Sequence, residues 1–169
     1  MTGPFQLRVR RTAGIWLCLA LAAFVHAHSA SAKEKVLTIH ASGTFDVKLT
    51  PQAAEDGDAG LGRMAIDKQF HGDLEGTSKG FMLASSATIV KGSGGYVAME
   101  KVTGTLKGRA GSFVLQHSGT MTRGTPQLSV MVVPDSGAGE LEGITGTLTI
   151  KIDQGKHSYT FDYSLPEAP

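Results

Sequence analysis

Two ionisable side chains, Glu100 and His117, occupy positions where the surrounding pattern calls for apolar residues. Between Tyr96 and Met121 the chain alternates as two arms of a hairpin. On the first arm Lys101, Thr103, Thr105 and Lys107 share one face, so Ala98, Glu100, Val102, Gly104 and Leu106 share the other and turn towards a core. On the second, Gln116, Ser118 and Thr120 alternate with Phe113, Leu115, His117, Gly119 and Met121. A two-residue turn at Arg109-Ala110, flanked by Gly108 and Gly111, would pair Leu106 with Phe113, Val102 with His117 and Glu100 with Gly119. Glu100 and His117 are then diagonal neighbours on one inner face. A carboxylate among Ala98, Val102 and Leu106 loses hydration, which should raise its pKa and suit it to general acid or base catalysis. With His117 beside it, the pair could move a proton during an isomerisation. The alternative is structural: a buried acid and a core histidine that satisfy one another or a neighbour.

Other residues could join them. In Met64-Ala65-Ile66-Asp67-Lys68-Gln69-Phe70, Lys68 shares its parity with Met64, Ile66 and Phe70, which makes it a candidate partner for Glu100 unless a bulge turns it outward. Tyr159 and Tyr163 fall on the inward face of the last strand, where their hydroxyls either meet a ligand or are buried for packing. Gln116 is a further candidate for orienting a ligand. The four histidines His40, His71, His117 and His157 lie on different strands with mixed parity and no close ligand spacing, so no metal site is expected. Gly92-Ser93-Gly94-Gly95 and Ser136-Gly137-Ala138-Gly139 resemble phosphate loops in composition only. No helix follows either, so both are expected to be hairpin turns. A Gly-x-Ser-x-Gly elbow is absent, which argues against a serine hydrolase.

The elements that must position these residues are strands. Helical periodicity is absent after residue 32, while period-2 alternation recurs between glycine-rich turns. Eight strands are expected: Val36 to Thr50, Arg63 to Gly72, Leu74 to Val90, Gly95 to Lys107, Gly111 to Thr122, Gln127 to Val133, Ile144 to Asp153 and Lys156 to Leu165. Pro51 to Gly62 reads as a loop. A turn at Gln154-Gly155 pairs Ile152 with His157, Ile150 with Tyr159, Leu148 with Phe161 and Gly146 with Tyr163. The fold class is therefore all-β, an eight-stranded antiparallel meander closed into a barrel, because closure removes exposed strand edges. A two-sheet sandwich is the rival architecture. A barrel of eight strands either fills with side chains or holds one small ligand. The in-strand glycines Gly43, Gly104, Gly119 and Gly146 suit tight bends, or places where a large side chain crosses the interior.

Residues 1–32 read as a secretory signal. Arg8, Arg10 and Arg11 form the charged start, the 13-residue run Ala13 to Val25 the apolar core, and Ala30-Ser31-Ala32 the cleavage site. Cleavage there would leave residues 33–169 as one barrel domain, secreted or periplasmic, with no membrane anchor. Three of the 16 basic residues and none of the 15 acidic ones precede the cleavage point, leaving 13 against 15 and a net charge of −2. That balance does not suit nucleic acid. The one cysteine, Cys18, lies in the leader, so the barrel would carry no thiol for disulfide, metal or nucleophile chemistry.

Five stretches are similar to the bacterial domain-of-unknown-function 3224 family. They are His40-Ala-Ser-Gly-Thr-Phe45, Gly72-Asp-Leu-Glu-Gly-Thr-Ser-Lys-Gly80, Gly95-Tyr-Val-Ala98, Gly111-Ser-Phe-Val-Leu-Gln-His-Ser-Gly-Thr120 and Val133 to Thr147. The resemblance implies a barrel of the allene oxide cyclase-like type and no established activity. The leader departs from the family's pattern. Ser136 to Gly146 also resembles, more loosely, a glycine-rich stretch of plant allene oxide cyclases and dirigent proteins, with Leu141 where those have an aromatic. Those families handle hydrophobic small molecules inside the barrel, but their active-site residues have no counterparts that can be carried across.

Three functions follow as expectations. The first is a barrel that binds a small, largely apolar molecule, oriented by Glu100, His117 and a subset of Gln116, Tyr159, Tyr163 and Lys68. The second is a cofactor-free isomerase or cyclase using Glu100 and His117. The third is a non-catalytic structural or homo-oligomerising domain whose contact surface includes Phe81 and Met131.

Overall fold

The computed structural model describes residues 37–53, 61–85 and 89–166. The expected leader lies outside these residues, as does most of the expected loop between Pro51 and Gly62. Among the described residues nine strands follow in order: β1 Ile39–Pro51, β2 Gly62–Gly72, β3 Leu74–Ser85, β4 Gly94–Leu106, β5 Arg109–Thr122, β6 Thr125–Val132, β7 Ala138–Gly139, β8 Thr145–Asp153 and β9 Lys156–Ser164. Every pairing is antiparallel, and β1-β2-β3-β4-β5-β6-β8-β9 closes on itself into an eight-stranded barrel.

The extra strand β7 lies against Gly111 and Ser112 of β5. Ser136 to Gly139 is thus part of a long connection folded back over β5 rather than a plain hairpin turn. β6 ends at Val132 and β8 begins at Thr145, and the two meet at a single registered pair, Met131 with Thr147.

Tight hairpins elsewhere are set by dipeptides ending in glycine. Lys107-Gly108, Arg123-Gly124 and Gln154-Gly155 each place two consecutive residues at positive φ (45° and 86°, 51° and 88°, 49° and 78°). That is the type I′ pattern, whose twist matches that of the flanking strands. The first of these corrects the expected turn at Arg109-Ala110. Leu106 pairs with Arg109, Val102 with Phe113, Glu100 with Leu115 and Ala98 with His117, a slip of four residues. An even slip leaves every side chain on its expected face, so Glu100 and His117 remain inward diagonal neighbours.

Inside, the barrel has two unlike ends. At one, Phe70, Leu74, Leu106, Phe113 and Phe161 are fully buried, and Leu141 and Ile144 from the β7–β8 connection plug the opening. Aromatic rings pack through this end, with Phe113 to Phe161 at 5.6 Å and Phe161 to Tyr163 at 5.1 Å between centroids. At the other end the inward residues include Leu49 and Ile152, which remain 45% and 63% exposed. Two in-strand glycines do make room for a crossing ring, as expected: a Cβ at Gly43 would strike Tyr159, and one at Gly119 would strike the ring of Tyr96.

Candidate functional site

The border between the filled end and the open end is polar. Lys68, Ser78, Glu100 and His117 are all buried there, although their neighbours are apolar. They come from four successive strands, β2 to β5. Two strand spacings, about 10 Å, separate Lys68 from Glu100. The inward residues of the intervening strand are Ser78 and Gly80, which pair with Lys68 and Glu100 respectively. Both are small, so the lysine stem passes over them, and its Nζ donates to Glu100 Oε1 at 2.6 Å.

His117 Nε2 meets the same oxygen at 2.8 Å, and Ser78 Oγ donates to Oε2 at 2.5 Å. The lysine ammonium also lies 4.7 Å from the ring centroid of Phe45 and 5.8 Å from that of Phe70, where it gains from the negative faces of the rings.

This network reverses the expected electrostatics of Glu100. Burial does push its pKa up, but the hydrogen bond from His117, the charge and hydrogen bond of Lys68 and the hydroxyl of Ser78 together outweigh burial and lower it to about 2. At neutral pH the side chain is a fully ionised acceptor. It cannot serve as a general acid, and as a base it takes a proton weakly. The expected raised pKa failed because alternation within one hairpin shows the apolar walls around Glu100 but not the donors that two other strands bring to it.

Above the cluster the open end forms a cavity of about 220 Å³. Val47, Leu49, Ile66, Ile150 and Ile152 supply apolar walls, Met82 and Leu128 stand at the rim, and Phe45, Lys68, Ala98 and His117 lie deepest. Tyr96 and His157 add polar atoms to the walls. The Tyr96 phenol has its pKa raised by burial and by the charge of Glu100, so it remains a protonated donor. Ser78, Tyr96 and His157 were not among the sequence candidates. Ser78 shares parity with Leu74, and Tyr96 with Ala98 and Glu100, so continuing the alternation along each strand would have found both.

The remaining candidates sit elsewhere. Tyr159 and Tyr163 are inward but belong to the filled end. The Tyr159 hydroxyl accepts the Leu74 N–H at 2.9 Å, Tyr163 stacks on Phe161, and burial raises the pKa of both. Their place is in the packing, away from the cavity. Gln116 projects from the outer surface, level with Met99 and Met131 on the neighbouring strands, and does not enter the barrel. An inward role for it fails on parity, since His117 beside it takes the inner face. Of the other histidines, His40 meets Asp162 at 2.6 Å on the outer surface, and His71 lies near Asp46 and Glu75. Among the described residues no three His, Cys, Asp or Glu side chains converge as metal ligands.

The comparisons with known proteins agree with this architecture. Residues 41–163 match the family described as protein of unknown function (DUF3224). A crystal structure of a DUF3224-family protein of unknown function from Shewanella oneidensis MR-1 is 53% identical and superimposes with a TM-score of 0.72. The match covers 78% of this chain and all of that one. No curated protein is significantly similar. With most of the barrel inside the matched region, the chain belongs to the DUF3224 family.

Proposed function

We propose that the protein binds a small, largely apolar molecule in the open end of its barrel. The observation that carries this reading is the cavity of about 220 Å³, walled by apolar side chains and floored by Lys68 and His117. Pockets that combine apolar walls with a few placed polar groups are the usual form of small-molecule sites. Drug-sized ligands need about 300–1,000 Å³, so the occupant is fragment-sized or leaves part of itself in the mouth.

Export fits the same reading: residues 1–32 carry the charged, apolar and small-residue segments of a secretory signal, leaving residues 33–169 to act as a secreted or periplasmic carrier. Isomerase or cyclase chemistry is less well supported, because an acid held near pKa 2 is a poor proton donor or acceptor. The test is saturation-transfer NMR with toluene as an apolar probe. The protein should bind it, and Leu128→Trp at the exposed rim should weaken it. Absence of binding to the unmodified protein would remove the reading.

One observation favours a second, compatible reading, self-association. On the outer wall Phe81, Met99, Gln116 and Met131 form one lateral row across β3 to β6, and Phe81 and Met131 are 52% and 46% exposed. Leu83 and Val97 extend it as a neighbouring pair, and Arg63 lies over the Phe81 ring at 4.8 Å. A belt of this kind suits an isologous contact with a second copy. Sedimentation velocity should show a dimer that Phe81→Lys dissociates; a monomer at high concentration would exclude it.

A further inference from the structure

The cavity floor also constrains what kind of polar group a ligand can carry, an inference that rests on the open end being a binding site. The floor holds the Glu100 carboxylate and the Lys68 ammonium, already paired at 2.6 Å with both side chains almost out of contact with water. Glu100 accepts from three donors and has little capacity left. Lys68 is different. An ammonium has three N–H groups, and among the described residues the one oxygen within hydrogen-bond reach of it is Glu100 Oε1. Its other donors lie beside the ring of Phe45 and the cavity that Lys68 lines. His117 also spends a donor on the same carboxylate. Its Nε2 is the donor towards the ionised Glu100.

We propose that the cavity selects uncharged molecules with a carbonyl oxygen, which accepts from Lys68, and discriminates against carboxylates of the same length. A carbonyl buried on a charged donor recovers its lost hydration through a charge-assisted hydrogen bond. A carboxylate must lose far more hydration, and the cation it would need is already neutralised by Glu100. It would also come close to the Glu100 charge inside an apolar enclosure, where like charges repel strongly.

Three probes of similar size separate this inference from the reading beneath it: toluene, 2-heptanone and hexanoate, titrated into the purified protein at pH 8. The expected order is 2-heptanone tightest, with hexanoate weaker by about tenfold or more. A doubly substituted protein, Lys68→Met with Glu100→Leu, removes the ion pair in a charge-balanced way that buried pairs often tolerate. In that protein the ratio of the two affinities, 2-heptanone over toluene, should fall to that of an unselective apolar site. Hexanoate binding as tightly as 2-heptanone would overturn the inference, as would a preference for 2-heptanone that survives the double substitution. Toluene binding alone would sink the carbonyl selectivity and leave the apolar site standing, whereas failure of all three probes would remove both.

Discussion

The two ends of this barrel are built from the same strands and the same alternation, yet one is a core and the other a cavity. Along β9 the inward series runs His157, Tyr159, Phe161, Tyr163, from half-buried at the open end to fully packed rings at the other. Along β4 it runs Tyr96, Ala98, Glu100, Val102, Gly104, Leu106, with the carboxylate at the border. What differs is volume and closure. The filled end has several large rings plus Leu141 and Ile144 capping it from a loop, whereas the open end has a small Ala98, a glycine opposite Tyr96 and no cap among the described residues. A pattern of alternating apolar residues therefore sets which face is inside but not whether the inside is full.

The comparison can be broken most sharply by truncation. Phe161→Ala at the filled end should cost about 3–5 kcal/mol in denaturant unfolding, since the neighbouring rings cannot collapse into the space. A cost under about 1 kcal/mol would mean that the packed end is not what holds the fold together. The border should be nearly as sensitive: Glu100→Leu strands Lys68 without its counter-ion and should cost about 3–5 kcal/mol. Adding Lys68→Met to it should recover a large part of that loss. Equal stability of Glu100→Leu and the double variant would show that a stranded Lys68 charge is not what the single substitution costs.

Acid should reveal the same border. The Glu100 pKa of about 2 lies below the ordinary 4.5, so between those values the unfolded chain binds a proton that the folded one refuses. The stabilisation, on the order of 3 kcal/mol, is complete above about pH 4.5 and lost as the pH falls towards 2. Urea unfolding followed from pH 7 to 2 should show this loss, and Glu100→Gln should lack that part of it. An identical acid limb in the variant would place the titrating group elsewhere. The smallest effect belongs to the mouth, where Ile152→Ala should change stability by no more than about 0.5 kcal/mol. A loss comparable to that of Phe161→Ala would mean that the open end is packed like the other.

How far the site could be read from the chain varies residue by residue. The inward faces of Glu100 and His117 follow from two-residue periodicity and survive even a turn misplaced by two positions, because the resulting register slip is even. The turn itself does not: Lys107-Gly108 and the pair Arg109-Ala110 compete locally, and twist compatibility favours two consecutive positive φ values, which Lys-Gly supports and Arg-Ala does not. Lys68 was legible as inward, but its meeting with Glu100 depends on Ser78 and Gly80 being small on the strand between them. Gln116 shows the converse. Its parity already placed it outside, and no property of the tertiary structure brings it in.

By itself the chain determined an all-β barrel, the side of each strand that turns inward, and the presence of an acid, a base and a lysine among the inward set, because these depend on local alternation and on glycine punctuation. The tertiary structure decided the rest: that one end is plugged and the other hollow, that three strands deliver three donors to one carboxylate on a fourth, and that this carboxylate is therefore held ionised. Those outcomes depend on distances across strands far apart in sequence and on how side-chain volumes add up around a closed ring, and neither quantity is written in any one segment.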